Sequence, residues 1–224
     1  MMERTGVFPI GASSLELSKI FFQILHWRFE LGTFKDILSN PAYGLSDAPE
    51  KLLLTSDMVK SFRAPYLAYN SNLYPSLRDE GFTSDSSEIA SGKNWPIKKD
   101  GVWHFPLATI TVGAQKTRTI SMDYNIWRLQ TNNIELLKRG TPEWEKAKKD
   151  VVDAYLQYFN TNYSTNRAPV IIGHHFDIWN DGVYWEAMKE FASEVCGQPD
   201  VRCSTQSELV DYLENGRQNS ESVL

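Results

Sequence analysis

Two adjacent histidines, His174 and His175, are the side chains of this sequence best suited to acid–base chemistry. They follow the apolar run PVIIG and precede the polar stretch FDIWNDG, so they stand at the predicted end of a buried strand. A histidine at such a position is well placed to transfer protons near neutral pH. The structural alternative is a hydrogen-bonded histidine with no chemical role. Because adjacent strand residues point in opposite directions, we expect one imidazole to face the site and the other to pack outward.

Arg63 supplies a permanent cation beside a predicted rigid turn, Ala64-Pro65-Tyr66. The proline fixes its own φ and biases Ala64 toward extended backbone. A guanidinium there can hold a carboxylate in bidentate geometry. The alternative is a surface salt bridge, which contributes little.

Asp123 lies in the β-like run Ser121-Met122-Asp123-Tyr124-Asn125. A carboxylate is costly to bury without a partner, and Arg63 is the predicted partner. Strand alternation would place Ser121, Asp123 and Asn125 on one face. The alternative is an edge strand whose polar face meets water.

The elements that must position these residues alternate between helices and strands. The patterns predict helices at Ser14–Leu38, Asp47–Lys60, Asn70–Glu80, Thr141–Asn162, Asp181–Cys196 and Thr205–Asn215. Strands are predicted at Phe82–Ser86, Trp103–Val112, Thr119–Trp127, Ala168–Gly173 and Val201–Ser204. The order indicates an α/β protein with parallel strands. No phosphate-binding glycine motif occurs, and polar residues cluster after strands, so a barrel is favoured over a nucleotide-binding sheet.

Composition narrows the class of protein. The 224 residues are 42% hydrophobic with a net charge of −5, which argues against nucleic acid as a partner. No apolar run reaches about 18 residues and no signal-peptide pattern is present, so neither a membrane span nor an export signal is expected.

Cys196 and Cys203 flank Gly197 and Pro199, whose turn would bring the thiols together. A disulfide is favoured over two unpaired thiols, and it would indicate an oxidising compartment.

Several spaced motifs resemble the polysaccharide deacetylases of carbohydrate esterase family four, the NodB-homology group. These are Phe62-Arg63-Ala64-Pro65-Tyr66-Leu67 with Gly81-Phe82 and Asp85-Ser86-Ser87, then Ser121–Asn125, then Ala168–Phe176, and finally Val195–Cys203 with Leu209–Leu213. The resemblance implies an incomplete, deformed (β/α) barrel, with residues 1–26 unmatched, 27–214 a partial deacetylase domain and 215–224 a disordered tail.

The resemblance also implies roles for site residues. Arg63 would orient the catalytic base, Asp123 would hold Arg63, and Tyr66 would donate its backbone N–H to the oxyanion. Ile172 would line the pocket for the acetyl methyl group. His174 would protonate the leaving amine, with His175 a second candidate for that role and Trp179 beside them as a sugar contact.

The family uses a zinc-like divalent metal, but its metal-binding motifs have no counterpart here. The second motif of the family is His-x-x-x-His, and no pair among the four histidines has that spacing. We therefore expect a truncated, frame-disrupted or degenerate form of a longer secreted or periplasmic enzyme that removes N-acetyl groups from peptidoglycan or chitin-like glycans, with little activity of its own. The alternative is a non-catalytic carbohydrate-binding protein that stacks sugars on its tryptophans, for which the candidates are Trp95, Trp103, Trp127 and Trp179. The glycan is the expected partner.

Overall fold

The computed structural model describes residues 14–39, 55–175 and 177–216. Its helices are α1 (Ser14–Ser39), α2 (Leu73–Asp79), α3 (Asp123–Thr131), α4 (Pro142–Tyr163), α5 (Trp179–Val195) and α6 (Gln206–Asp211). Its strands are β1 (Ser61–Phe62), β2 (Ser84–Asp85), β3 (Ile89–Ala90), β4 (Ile97–Lys99), β5 (Val102–His104), β6 (Leu107–Val112) and β7 (Thr117–Ile120). A short 3₁₀ turn (Pro65–Leu67) and a π turn (Tyr212–Gly216) complete the elements. Among the described helices, none has the length and hydropathy to cross a bilayer.

The chain divides into two compact units. Unit 1 is Met1–Thr83 with Lys98–Val102, and unit 2 is Ser84–Ile97 with Trp103–Leu224. In unit 1, α1 packs on α2. Leu31 of α1 joins Leu73 and Leu77 of α2 in a small apolar core, and each of these is at most 2% exposed.

The turn that carries Arg63 in unit 1 is tightly folded. Ala64 is extended, with φ −62° and ψ 134°, which confirms the restriction expected before Pro65. Tyr66 and Leu67 then adopt left-handed backbone, with φ of 57° and 54°. The Leu67 N–H donates to the Ala64 carbonyl at 3.0 Å and closes the turn.

Unit 2 is built around a three-stranded sheet of order β3-β6-β7, in which β3 runs parallel to β6 and β7 runs antiparallel to it. Helix α4 packs on β6, and α5 packs on α4. The core between them is apolar, and Val151, Tyr155 and Val183 in it are fully buried. A second parallel pair joins β2 to β5.

The helices with clear end signals are confirmed. Thr141 caps α4 by accepting from the Trp144 N–H at 3.3 Å, and Thr205 with Glu208 forms the predicted capping box of α6. Cys196 and Cys203 form the predicted disulfide, with their Cα atoms 5.4 Å apart.

The strand predictions were less accurate. Thr119–Trp127 was predicted as one strand, but β7 ends at Ile120 and α3 begins at Asp123. Three residues of β7, Thr117, Thr119 and Ile120, are β-branched and favour the strand, whereas the later residues continue as a helix that buries Ile126. Of the predicted strand Ala168–Gly173, only Gly173 forms a bridge, with Met122, and Val201–Ser204 forms no strand.

The predicted helix Asp47–Lys60 lies outside the described residues up to position 54, and residues 55–60 form a turn. The unmatched segment 1–26 lies outside them up to position 13, and the predicted tail lies outside them from position 217. The described residues are mixed α/β, with helices and small mixed sheets and no closed barrel among them.

Candidate functional site

A short parallel contact brings the two histidines of unit 2 beside the start of α3. The Gly173 N–H donates to the Ser121 carbonyl at 2.8 Å, and the Asp123 N–H donates to the Gly173 carbonyl at 3.1 Å. The buried Ser121 hydroxyl extends this contact by accepting from the Ala108 N–H at 2.9 Å and donating to the Ile171 carbonyl at 2.8 Å. The segment that carries His174 and His175 is thereby fixed against β6 and α3.

The carboxylate of Asp123 is the centre of this arrangement. Its side chain is only 1% exposed, yet it accepts three hydrogen bonds of 2.7 Å, from the His175 N–H, the His175 Nδ1 and the Tyr124 N–H. Two of the donors are backbone amides, and the carboxylate stands in the first turn of α3, where the helix dipole favours negative charge. Asp123 is therefore a buried acceptor that the fold satisfies locally.

His175 combines a fixed orientation with access to solvent. Its side chain is 49% exposed, while Nδ1 lies 2.7 Å from Asp123 Oδ1. An ionised carboxylate only accepts hydrogen bonds, so Nδ1 carries the proton and Nε2 is the nitrogen left to exchange one. A carboxylate that orients an imidazole in this way is the usual arrangement of an acid–base histidine.

His174 is the buried member of the pair, with a side chain that is 6% exposed. Its Nε2 lies 3.3 Å from the Tyr155 hydroxyl, and its Nδ1 lies 3.7 Å from Asp123 Oδ2. Burial lowers the pKa of His174, only partly opposed by the Asp123 charge, and His175 lowers it further. Burial also raises the pKa of Tyr155, which keeps its hydroxyl protonated.

The expectation that the two imidazoles point to opposite sides is wrong, because both approach Asp123. His174 and His175 do not belong to a β-strand, because only Gly173, the residue before them, forms a β-bridge. Strand alternation therefore does not govern them. Solvent exposure separates the pair, and it favours His175 over His174 as the group that meets a ligand.

An aromatic cluster, formed by Tyr124, Trp127, His175 and Trp179, surrounds the exposed imidazole. Trp127 and Trp179 stack with ring centroids 4.6 Å apart and planes 10° from parallel. Tyr124 packs edge-on against Trp179 at 5.8 Å, and His175 lies 5.3 Å from Trp179. Aromatic surfaces next to a polar group are typical of sites that bind amphipathic ligands.

The remaining predicted site residues are distributed over both units. Arg63 and the fully exposed Tyr66 lie in unit 1, so the predicted pairing of Arg63 with Asp123 and the oxyanion role of Tyr66 stay predictions. Ile172 is partly buried against the main core of unit 2. Its role in an acetyl pocket also stays a prediction.

The two other candidate tryptophans occupy a different part of unit 2. Trp95 and Trp103 pack against a small cluster around Phe105, and the Trp103 Nε1 donates to Glu214 at 2.7 Å. They do not belong to the aromatic cluster around His175.

A second buried polar group lies where β2 pairs with β5. The Ser87 N–H and hydroxyl donate to Asp85 at 2.9 and 2.6 Å, and His104 Nδ1 lies 3.1 Å from Glu88. Burial raises the pKa of Asp85, and the hydrogen bonds from Ser87 partly oppose this effect. These contacts indicate a structural role, because Asp85 and His104 are each 1% exposed.

A cavity of about 590 Å³ in unit 2 lies apart from the Asp123–His175 pair. Its lining includes Trp95, Tyr163, Ile171 and Leu209, but none of the residues of the aromatic cluster. Its carboxylates, Asp200 and Glu208, form ion pairs with Arg167 and Arg202, whereas the Asp123–His175 pair joins a buried carboxylate to an exposed imidazole.

Sequence reasoning missed Tyr155. It belongs to the apolar face of α4, and nothing in its spacing indicates that its hydroxyl meets a histidine 19 residues later. Strand alternation was also the wrong guide for Asp123 and Asn125, because both residues belong to α3.

A metal of the kind the family uses does not fit the described residues. Within residues 14–39, 55–175 and 177–216 no group of three or more His, Cys, Asp or Glu side chains could hold an ion.

Comparison with models of protein families gives no match, and comparison with curated proteins gives no significant relative. The likeness to polysaccharide deacetylases therefore rests on the motifs of the sequence.

Proposed function

We propose that this chain is a polysaccharide deacetylase-like protein, and that Asp123, His175 and the aromatic cluster form its proton-transfer and sugar-contact region. The observation that carries the proposal is the 2.7 Å bond between the buried Asp123 carboxylate and the half-exposed His175 imidazole. The complete enzyme would adopt a deformed (β/α) barrel and act on N-acetylated glycans such as peptidoglycan or chitin.

In this proposal His175 is the general acid. Asp123 holds the proton on Nδ1, and the Nε2 of the imidazolium gives its proton to the amine nitrogen as the bond to the acetyl carbon breaks. The charge on Asp123 stabilises that imidazolium, as a buried carboxylate does in a catalytic triad. His174 would not be the proton donor. Its buried ring, held by the Tyr155 hydroxyl, stays neutral and adds no second positive charge beside His175.

Trp127 and Trp179 would contact the sugar. The apolar face of a pyranose ring packs well on an aromatic ring, and His175 lies 5.3 Å from Trp179. A ring stacked there would place its substituents near the imidazole.

Within the described residues, no group of three or more His, Cys, Asp or Glu side chains could hold a metal that activates water for attack on the acetyl carbonyl. We therefore expect the purified chain to release little or no acetate from chitooligosaccharide or peptidoglycan when zinc or cobalt is added. Substantial release that His175→Gln abolishes would contradict this expectation of inactivity while supporting the acid role. Release that survives His175→Gln would remove the proposed role of His175.

A non-catalytic carbohydrate-binding protein is the second candidate, and the absence of a metal-ligand group from the described residues favours it. We expect a saturable, metal-independent change in tryptophan fluorescence on titration with chitooligosaccharide. Trp179→Ala should remove that response, whereas Trp103→Phe, outside the aromatic cluster, should keep it. No response from the wild-type protein would remove both functions that require glycan binding.

A further inference from the structure

Trp179 is followed by three residues in left-handed backbone conformation. Asn180, Asp181 and Gly182 have φ of 51°, 56° and 76°. Only glycine adopts this conformation freely, and asparagine and aspartate tolerate it better than other residues. Such a run persists only where the surrounding structure determines it.

The Asn180 side chain is the main determinant. It is 0% exposed, and it uses every hydrogen-bonding position of its amide. Its Oδ1 accepts from the Leu136 and Leu137 N–H groups at 3.0 and 3.3 Å. Its Nδ2 donates to the Thr131 hydroxyl at 3.0 Å and to the Tyr184 hydroxyl at 3.2 Å.

The backbone of the same turn adds further connections. The Asn180 carbonyl accepts from Trp144 Nε1 at 3.0 Å, and the Asn180 N–H donates to the Glu135 carboxylate. The Asp181 carboxylate accepts from the Arg139 N–H at 3.0 Å. The turn thus joins the start of α5 to α4 and to the segment that follows α3.

That segment also holds the partner ring of Trp179. Trp127 Nε1 donates to the Ile134 carbonyl at 3.4 Å, two residues before the Leu136 N–H that Asn180 binds. Both indole rings are therefore attached to the same short stretch of chain, one directly and the other through Asn180.

We infer that Asn180 is a positioning residue that holds Trp179 against Trp127, so that the stacked pair is formed before any ligand arrives. The proposed use of this pair as a sugar-contact surface rests on the proposed function. The positioning of the rings does not, and it can be measured without a glycan.

Circular dichroism tests the positioning, because indole rings stacked at 4.6 Å couple strongly and give an exciton couplet when their transition dipoles are twisted relative to each other within the stacked planes. Trp127→Phe and Trp179→Phe define the spectrum without the couplet. Asn180→Gly removes the side-chain bonds while permitting the left-handed backbone, and it should reduce the couplet amplitude by roughly two-fold or more. A folded Asn180→Gly protein with the wild-type couplet would overturn the inference.

Asn162→Ala is the matched control. Asn162 is also a buried asparagine, 2% exposed, and its Nδ2 donates to the Gly92 and Ala168 carbonyls at 2.8 and 3.0 Å. Neither of these hydrogen bonds reaches a residue of the aromatic cluster. Its loss should lower the melting temperature and leave the couplet unchanged, and loss of the couplet in this variant would show that any destabilisation has that effect.

Tyr184→Phe decides the question if Asn180→Gly does not fold. It removes the hydroxyl that accepts one hydrogen bond from Asn180 and keeps the aromatic ring. A smaller couplet supports the inference, and an unchanged couplet overturns it. Titration of the same variants with chitooligosaccharide is judged separately, since a wild-type protein that binds no glycan removes the proposed function and leaves the couplet result standing.

Discussion

Asp123 shows how one buried charge organises the site at the scale of single residues. Three 2.7 Å hydrogen bonds compensate the cost of removing its carboxylate from water, and two of them come from His175. The same bonds set the tautomer of His175 and hold its ring at the surface. Stability and proton chemistry therefore depend on the same side chain.

Replacing Asp123 with alanine should destabilise unit 2 by roughly 3 kcal/mol, because two backbone N–H groups and the His175 ring lose a charged acceptor. Unfolding in urea measures this cost. Asp153→Ala is the control, since Asp153 is 56% exposed in its pair with Lys149 and should matter by less than about 1 kcal/mol. Equal effects of the two substitutions would contradict the role assigned to Asp123.

His174 should make the stability of unit 2 depend on pH. Burial lowers its folded-state pKa below the ordinary 6.5, so the unfolded chain binds a proton first as the pH falls. The contribution of the neutral ring is complete above pH 6.5 and is lost progressively below it. The free energy of unfolding should thus decrease from pH 7 to pH 5.

The variant His174→Gln should show a weaker decrease over the same interval, because it lacks the titrating ring. His26→Gln, at an exposed position of unit 1, serves as the control and should keep the wild-type pH dependence. A wild-type slope in His174→Gln would assign the effect to another group.

At the scale of elements, local signals predicted the starts of helices better than they predicted the extents of strands. Thr141 and Pro142 define the start of α4, and Thr205 and Glu208 define the start of α6, because a cap acts within a few residues. A strand depends on a neighbour that is distant in sequence. The run Ala168–Gly173 has β-forming residues, yet only Gly173 forms a bridge among the described residues, and its partner Met122 lies 51 positions earlier in the sequence.

The disulfide closes the chain just after α5 and was predictable from the turn between its cysteines. It links residues separated by seven positions, so its removal frees a loop of about eight residues in the unfolded state. Cys196→Ser with Cys203→Ser should lower the free energy of unfolding by roughly 2.5 kcal/mol. Reducing agent should produce a similar loss in the wild-type protein and none in the double variant.

At the scale of the whole molecule, residue type and position after apolar runs predict Asp123 and the histidine pair as candidate site residues, but they do not predict how these residues are arranged. Their mutual contact spans 52 residues and depends on Ser121 and Gly173, so spacing alone could not give it. Spacing alone also could not show that His175 reaches solvent while His174 is buried. His174 is buried because it packs against Tyr155 and Trp185.

The two units each have an apolar core of their own, around Leu77 in unit 1 and around Tyr155 in unit 2. The mixed α/β class follows from the order of predicted elements. The described residues form no closed barrel, because their sheets contain short strands with few partners, and the incomplete, deformed barrel that the resemblance implies stays a prediction.

The left-handed run after Trp179 has a consequence for how this chain can vary over evolution. Each of its three positions favours glycine, asparagine and aspartate, because other side chains meet a larger steric penalty in left-handed backbone. A substitution there costs backbone strain even when the new side chain is polar and well solvated. Among homologues that keep the stacked indoles, neighbouring exposed positions such as Ile178 should therefore vary. The three left-handed positions should remain glycine, asparagine or aspartate in most of them.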